Sequence, residues 1–562
     1  MPKLTHKQFT SIRNLITDNA RIYGDKPQYI YKRRKNEIKF TYNDALDTFN
    51  AIGTAFVGLG LSGKTIAVIG ETDPYYVMTY YATVAGNGVI VPLDKEISEE
   101  EIYNFINLSG AEAVVYTSQF NNVLAPEEDK IPGVKYFIPI DGDGESCESK
   151  KVLSMQSLLD FGHASLAAGN TAFLDIEPDL EKTCAIIFTS GTTGTSKGVM
   201  LCERNLVAAG NVSSQLISMV NMDTNLLCVL PINHTYEMTC SHIASCNKGT
   251  TTYINESLKY VARNMQKVQP TALVLVPLFV ETLAKKIWAN IEAKGMTEKV
   301  RKGMKLTGFL RKFGVDIRRK VFAEVHSAFG GNLTTIISGG AKLDADYIRD
   351  FDAFGIEILE GYGITECSPL VSVNTPGAKK LGTVGKAVPG CQVKTDAEDG
   401  HSEGELLVKG DNVMLGYFNN PEATAEVFTE DGWFKTGDIG TIDKEGFISI
   451  TGRKKNIIIL SNGKNIYPEE IEQYLAKIEE IAECVVIGKE NSAGEVVITA
   501  VIYPNMDKYQ DTEMQVIHDD LKAKINEVNK QLPIFKQIRE IQLRDTEFEK
   551  TPSRKIKRYK VK

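Results

Sequence analysis

A loop rich in glycine and hydroxyl side chains follows an apolar run in the middle of the chain. The run covers residues 185–188, and the loop continues Thr189-Ser-Gly-Thr-Thr-Gly-Thr-Ser-Lys-Gly198. Such a loop after a strand can direct backbone N–H groups and hydroxyls at phosphate oxygens, and Lys197 adds a movable positive charge. It is not a Walker A loop, because Ser196 precedes the lysine and Gly198 follows it. A flexible linker is the alternative, but a linker would not follow a buried strand, so the loop predicts a phosphate site.

Four single side chains could also do chemistry, and each has a structural alternative. Tyr362 lies between two glycines and can face a flat ligand, although core packing is the commoner role of a lone tyrosine. Glu366 is a hard oxygen ligand suited to Mg²⁺, or a surface carboxylate. Asp438 can accept hydrogen bonds from ribose hydroxyls, or simply close a Thr-Gly turn. Lys555 lies in a basic stretch, residues 550–558, that a solvated tail would explain equally well.

Five motifs in order resemble the signatures of the acyl-adenylate-forming superfamily, which contains acyl-CoA synthetases, luciferases and peptide-synthetase adenylation domains. They are the loop 188–198, Gly361-Tyr-Gly-Ile-Thr-Glu366, Trp433-Phe-Lys-Thr-Gly-Asp438, Gly452-Arg-Lys-Lys455 and Pro552-Ser-Arg-Lys555, with Phe40-Thr-Tyr42 near the start. One such motif is weak evidence, but five occur in the family's order, and together with Phe40-Thr-Tyr42 the resemblance spans roughly residues 40–558. The family usually has glycine where this chain has Arg554, a difference that concerns the local turn and not the lysine that follows.

The resemblance implies ATP, Mg²⁺ and CoA as ligands and gives individual residues a role. The implied nucleotide and pantetheine contacts are Thr189, Ser190, Gly191, Thr192, Thr193, Gly194, Thr195, Lys197, Gly339, Gly340, Ala341, Glu360, Gly361, Tyr362, Gly363, Thr365, Asp438, Arg453, Gly463 and Asn465. Thr189 and Glu366 are implied to lie near the metal ion. Lys555, Glu366 and His234 are implied to be catalytic, and Lys455 matches the pivot of the family's mobile C-terminal domain.

The implied reaction explains why the chain has no arrangement typical of a nucleophilic enzyme. A carboxylate is already anionic at neutral pH, so it can attack the α-phosphate of ATP without a general base. The obstacle is the meeting of two anions, which positioning and charge neutralisation overcome. In the family, a thiol then attacks the acyl-adenylate and releases AMP.

The acyl group is predicted from residues 230–237, Leu-Pro-Ile-Asn-His-Thr-Tyr-Glu, which resemble the acyl-pocket motif of fatty acyl-CoA synthetases. His234 is then a gate or a carboxylate contact, whereas a lone histidine would usually be structural. Residues 239–246 contain no acid that could hold a substrate amine. We therefore predict an ATP-dependent ligase that joins a medium- to long-chain fatty acid to CoA. The alternatives are an acyl-[acyl-carrier-protein] ligase and a non-catalytic adenylate-binding regulator.

Short apolar runs that alternate with helical patterns position these motifs. The runs at residues 66–70, 113–117, 185–190, 272–277 and 334–340 predict buried strands of mostly parallel sheets. From about residue 382, closely spaced glycines indicate a small β-rich subdomain. Residues 471–480 and 512–531 are predicted helices, and 482–488 and 496–503 predicted strands. The prediction is an α/β fold with a large N-terminal domain, 1–454, and a small mobile α+β domain, 455–562.

Composition narrows the class of protein further. The 562 residues carry 72 acidic and 64 basic side chains, a formal charge of −8, which gives no positive field for nucleic acid. The nine cysteines form no CxxC pair, a pattern typical of reduced thiols in the cytoplasm. We find no apolar segment of membrane-spanning length and no secretory signal. The expectation is a cytoplasmic enzyme, and composition gives no oligomeric state.

Residues 285–320 differ from this background, with twelve Lys/Arg against three acids, a local charge of +9. Six apolar residues are expected largely on one helical face: Val300, Met304, Leu306, Phe309, Leu310 and Phe313. One hypothesis is a peripheral contact with the inner face of an anionic membrane, from which a long-chain acid enters. The alternative is a solvated helix whose apolar face packs on the core.

Overall fold

The computed structural model describes residues 8–33, 36–141, 152–189, 196–220, 225–397, 402–460, 464–491, 494–510, 512–550 and 555–561. They divide into two compact units. The first unit comprises the residues up to 189, 197–392 and 409–426, and the second comprises 393–408 and the residues from 427 onward. The strands of the β-rich subdomain mostly belong to the second unit, and the boundary at 454/455 remains a prediction.

A seven-stranded sheet forms one layer of the first unit. In spatial order its strands are Gly416–Tyr417, Lys197–Cys202, Thr183–Thr189, Val89–Leu93, Thr65–Ile69, Ala113–Tyr116 and Tyr136–Pro139. The last five are parallel, and Thr183–Thr189 runs antiparallel to Lys197–Cys202. The inner strands are almost entirely buried and apolar, as expected when both faces of a parallel sheet are covered.

Two further sheets complete the first unit. One has the order Ala272–Leu275, Thr335–Ser338, Glu357–Gly363, Leu370–Val373, Lys386–Ala387, and its first three strands are parallel. The other has the order Asn36–Thr41, Pro27–Arg33, Thr251–Ile254, Asn225–Cys228. Because carboxyl ends of neighbouring parallel strands meet at one edge, the turn after Ser338 lies beside the last residues of the strand Glu357–Gly363.

The α-helices of the first unit cover the sheets. They are Ile12–Tyr23, Tyr42–Gly58, Pro74–Ala85, Glu99–Ser109, Met155–Ala167, Glu203–Met219, Thr235–Glu237, Ala244–Lys248, Val261–Val268, Pro277–Ala293, Thr297–Arg311, Arg318–Val321, Ala323–Ala328, Ala345–Phe354 and Pro421–Val427. A π-helix, Met238–Ile243, joins two of the short ones. None of the helices in the described ranges is both long and apolar enough to cross a membrane.

The second unit contains two main sheets. One has the order Cys391–Asp396, Glu403–Gly410, Phe434–Ile442, Ile448–Arg453, and the other has Ile481–Glu490, Val496–Pro504, Glu540–Leu543. A short hairpin pairs Ile458–Ile459 with Asn465–Ile466. Helices Pro468–Leu475 and Met514–Asn529 pack on the three-stranded sheet through a core that includes Leu475, Ile517 and Leu521.

The predicted α/β class and strands are confirmed, and the differences lie at element ends. The helix expected over 471–480 is Pro468–Leu475, because the proline suits a first helical turn and the next strand already begins at Ile481. The helix expected over 512–531 is Met514–Asn529.

Candidate active site

Glycines at two adjacent strand ends form the rim of a pocket in the first unit. A Cβ on Gly339 would come within 3.2 Å of the Tyr236 ring, and one on Gly363 would lie 2.0 Å from the carbonyl oxygen of Pro369. Gly340 has φ +88°, a conformation that favours glycine. Glycine is therefore required at Gly363 by close approach of the Pro369 backbone and favoured at Gly340 by its positive φ.

The pocket encloses about 610 Å³, its open mouth included. Its lining is Ser213, Leu216, Ile217, Tyr236, Cys240, Val274, Ile337, Gly339, Gly340, Gly361, Tyr362, Gly363, Pro369, Leu370 and Val373. The structure thus brings together four predicted glycines and Tyr362 at one end of an apolar pocket. Ala341, also predicted here, is exposed beyond the turn and does not line it.

Tyr236 is a lining residue that the sequence analysis did not single out. Its hydroxyl lies 3.5 Å from the carbonyl oxygen of Leu275 and 3.4 Å from that of Ile337, across two parallel strands. Burial raises the pKa of Tyr236 well above its ordinary value. The signal was present, because Tyr236 lies two residues after His234 in the predicted acyl-pocket motif.

His234 itself lies elsewhere. Its Nε2 atom is 3.9 Å from an Asp94 carboxylate oxygen, and its side chain is 41% exposed. His234 is not one of the described residues that line the pocket. The motif therefore contributes Tyr236 to the pocket wall and places His234 beside Asp94, which follows the strand Val89–Leu93.

Glu366 lies in a short 3₁₀ helix, Thr365–Cys367, and its carboxylate accepts a hydrogen bond of 2.9 Å from the hydroxyl of Tyr417. The ammonium of Lys197 lies 4.6 Å from the centre of the same tyrosine ring. Thr189 pairs with Lys197 across the antiparallel strands. Two predicted residues, Glu366 and Lys197, thus contact Tyr417, which sequence reasoning missed.

Oxygen ligands suited to a hard cation are therefore present in the first unit, on Thr189 and Glu366. Ser190, Gly191, Thr192, Thr193, Gly194 and Thr195 lie outside the described residues. Glu360 is buried beside the pocket rim, and burial raises its pKa to about 7, partly offset by Lys342.

The second unit holds a separate charged group. Asp438 and Arg453 face each other across the strands Phe434–Ile442 and Ile448–Arg453, with Arg453 Nε 2.8 Å from a carboxylate oxygen. The Asp438 side chain is 4% exposed, whereas that of Arg453 is 44% exposed. The turn before Asp438 is fixed by Gly437, whose φ is +72° and whose N–H donates to Glu405 at 3.0 Å.

Lys555 belongs to this group. Lys555 is exposed to solvent. The pKa of its ammonium is nevertheless lowered, first by desolvation and then by the positive charge of Arg453, while the negative charge of Asp438 acts in the opposite direction. Asn465 is exposed in the short hairpin, and Gly463 lies outside the described residues. Lys455 follows Arg453 by two residues in a 3₁₀ turn.

A buried polar cluster lies next to the pocket wall. Cys228, Glu237 and His242 bring one sulfur, one oxygen and one nitrogen atom within 4.8 Å of one another, a donor set that Zn²⁺ accepts. The Ser241 hydroxyl donates to Glu237 at 3.0 Å, and the Tyr29 hydroxyl lies 3.2 Å from His242 Nδ1. Burial lowers the pKa of His242 to about 3 and raises that of Glu237 to about 7. Neutral forms of both allow the cluster to lie in the core without a cation.

Known protein families and relatives match most of the chain. The model of the AMP-binding enzyme family matches residues 16–418, and that of the AMP-binding enzyme C-terminal domain matches 455–562. The long-chain-fatty-acid–CoA ligase FadD15 of Mycobacterium bovis is 31% identical over 486 residues, 83% of this chain and 78% of that protein. The chloroplastic long-chain-fatty-acid–[acyl-carrier-protein] ligase AEE15 of Arabidopsis thaliana is 26% identical, over 92% of this chain and 80% of that protein. The ATP-bound structure of MatB from Rhodopseudomonas palustris covers 98% of both chains with a TM-score of 0.72 and 24% identity.

Proposed function

This chain belongs to the AMP-binding enzyme family, the superfamily predicted from its five motifs, and we propose that it is an ATP-dependent fatty acid–CoA ligase. A carboxylate oxygen of the fatty acid attacks the α-phosphorus of ATP, the α–β phosphoanhydride bond breaks, and pyrophosphate leaves. The CoA sulfur then attacks the acyl carbon, the acyl–phosphate bond breaks, and AMP leaves while the thiol proton passes to solvent.

One observation carries the proposal. The glycine-containing strand ends that the resemblance assigns to the nucleotide open onto a pocket whose wall is made of apolar side chains, among them Leu216, Ile217 and Val274. An adenylate at the rim would place its acyl group against this wall. Burial of each methylene there gains about 0.8 kcal/mol, so a long alkyl chain adds affinity that a short acid lacks. The wall therefore favours a medium- to long-chain substrate.

We assign the polar roles as follows. Tyr362 faces the adenine, Asp438 accepts from the ribose hydroxyls, and Arg453 orients that carboxylate through their 2.8 Å contact. Lys555 supplies positive charge as the phosphate negative charge rearranges, a contribution that needs position and not proton transfer. Gly463 and Asn465 are assigned to the path of pantetheine, and Lys455 to the pivot of the C-terminal domain.

Thr189 and Glu366 would hold Mg²⁺ through their side-chain oxygen atoms; the pairing of Thr189 with Lys197 and the hydrogen bond from Tyr417 to Glu366 support this assignment. When bound, the ion neutralises phosphate charge. Tyr417 holds the Glu366 carboxylate in place through its hydroxyl, and Lys197 adds a second positive charge above the same ring. The protein's part is to fix these groups before the reaction starts.

An acyl carrier protein is the second candidate acceptor of the acyl group. The similarity to AEE15 over 92% of this chain supports this alternative. Both acceptors offer the same pantetheine thiol, so the first half-reaction is unchanged. We also propose a cytoplasmic location, at the inner face of a membrane.

The test is AMP formation by the purified full chain with ATP and Mg²⁺. Free acids from acetate to palmitate, with benzoate included, are supplied with hydroxylamine as a trap, and then with CoA or with an acidic acyl carrier protein. We expect AMP with long-chain acids and thioester formation with CoA. The Lys555→Ala variant should lose adenylation. The matched control, Lys557→Ala, removes a nearby lysine and should keep adenylation. Absence of AMP with every acid would refute the proposal, and thioester on the carrier alone would establish the alternative.

A further inference from the structure

The helix Thr297–Arg311 and the turn after it carry two apolar faces and not the one expected from the sequence. Val300 and Met304 pack towards Trp288 and Phe322. Leu306, Phe309 and Phe313 point the other way and are 56%, 57% and 69% exposed. The spacing of three and four residues places these three on one side. The earlier alternative, a single apolar face packed on the core, therefore explains only the inner set.

The outward residues form a protruding aromatic pair beside an aliphatic side chain. The rings of Phe309 and Phe313 lie 5.1 Å apart in an edge-to-face arrangement. Only Thr307 of the whole helix is fully buried. Clustered exposed apolar side chains of this size mark interaction sites more often than isolated ones do.

Lysines flank this apolar set. Lys302 lies one turn before Leu306, and Lys305 and Lys312 lie along one edge. These three lysines form no ion pair with any described residue, whereas Arg311 and Arg318 are engaged by acidic side chains. The exposed rings are thus flanked by positive charges that no neighbouring carboxylate neutralises. This local charge contrasts with the formal charge of −8 of the whole chain.

We propose that this surface, here called the 302–313 surface, docks on an anionic lipid bilayer. Phe309, Phe313 and Leu306 would enter the boundary between headgroups and acyl chains, and the lysines would lie at lipid phosphates. Charge complementarity selects this occupant. A second copy would bring like charges together, and an acidic carrier would satisfy the lysines but leave the two rings uncovered. The inference deepens the proposed function, because a bilayer holds long-chain acids, but the docking does not depend on catalysis.

Vesicle flotation of the full chain tests the inference. Vesicles of neutral phosphatidylcholine are compared with vesicles in which 30% is phosphatidylglycerol, at low and high salt. We expect recovery with anionic vesicles only, reduced by salt. Lys302→Glu with Lys305→Glu should weaken partitioning at least tenfold, because each lysine near an anionic surface contributes about a fivefold factor. Phe309→Ser with Phe313→Ser should reduce it similarly even at low salt.

Leu258→Ser is the matched control, since Leu258 is 64% exposed outside this surface, and it should float like the wild type. Circular dichroism and AMP formation with a soluble medium-chain acid verify that each variant is folded. Equal recovery with neutral and anionic vesicles, or unchanged recovery of both double variants, would overturn the inference. A dimer in light scattering that these substitutions dissociate, or binding of an acidic carrier in place of vesicles, would also overturn it. Loss of flotation with intact AMP formation would leave the ligase proposal standing, and the reverse result would refute only that proposal.

Discussion

Glutamine in place of Glu237 isolates the energetics of the buried cluster beside the pocket. Glu237 is 1% exposed and its carboxyl accepts a hydrogen bond from Ser241. Burial raises its pKa from 4.5 to about 7. Between these values the folded protein keeps a proton that the unfolded chain has released, so stability falls as pH rises through this window. The full penalty, reached above pH 7, is about 3 kcal/mol.

Glu237→Gln has the same shape and carries no such penalty. We expect it to be within about 1 kcal/mol of the wild type at pH 5 and more stable by about 3 kcal/mol at pH 8. His242 acts in the opposite direction at lower pH, because its pKa is lowered to about 3, but this contribution is common to both proteins and cancels in the difference. For a domain the size of the first unit, this gain in stability means that the Tm of Glu237→Gln minus the Tm of the wild type grows by about 3–5 °C between pH 5 and pH 8.

Differential scanning calorimetry at matched scan rates from pH 5 to pH 8 measures this difference. Glu292→Gln is the control, because Glu292 is an exposed carboxylate on the helix Pro277–Ala293 and should give a constant offset. Parallel Tm curves for Glu237→Gln and the wild type would refute the reasoning. So would a glutamine variant that is the less stable protein at pH 8, since it would mean that the folded state favours the carboxylate.

Three further substitutions test the site. Lys555→Ala should lower pyrophosphate exchange by about 10²-fold through loss of a positioned charge, while thiolation of supplied acyl-adenylate is retained; equal loss in both assays would contradict this role. Asp438→Asn should raise the KM for ATP at least tenfold, because the substitution weakens both the contact with the ribose and the ion pair with Arg453. Steady-state kinetics of this variant, with Lys555 intact, measure the change in KM. Cys240→Trp should fill the pocket and shift kcat/KM towards shorter acids; an unchanged chain-length profile would place the acyl group elsewhere.

The sequence predicted those parts of the site that depend on local pattern. Apolar runs gave the strands, and parallel pairing then required Gly339 and Gly361 to lie at one edge. Asp438 and Arg453 were each found by motif, and the antiparallel pairing of their strands makes them neighbours.

Contacts between distant segments could not be predicted in this way. Tyr417 reaches Glu366 because the two-residue strand Gly416–Tyr417 joins the edge of a sheet more than 200 residues earlier in the chain. Cys228, Glu237 and His242 come together because a strand, a short helix and a π-helix fold back on one another, and no spacing rule describes that arrangement. The six apolar residues of 300–313 were assigned largely to one face, whereas the structure packs Val300 and Met304 inward and leaves Leu306, Phe309 and Phe313 exposed on the other side.

The chemistry of the pocket wall has a consequence for molecules that carry a second polar group. Beyond Tyr236 and Tyr362, the polar side chains among the described lining residues are those of Ser213 and Cys240. Burial raises the pKa of that cysteine to about 12, so it stays a neutral thiol. A dicarboxylic acid would have to strip water from its ω-carboxylate and find no cation among these residues, at a cost of several kcal/mol. Palmitate and its ω-carboxylated counterpart differ only at that far end, and the enzyme should discriminate between them by at least two orders of magnitude.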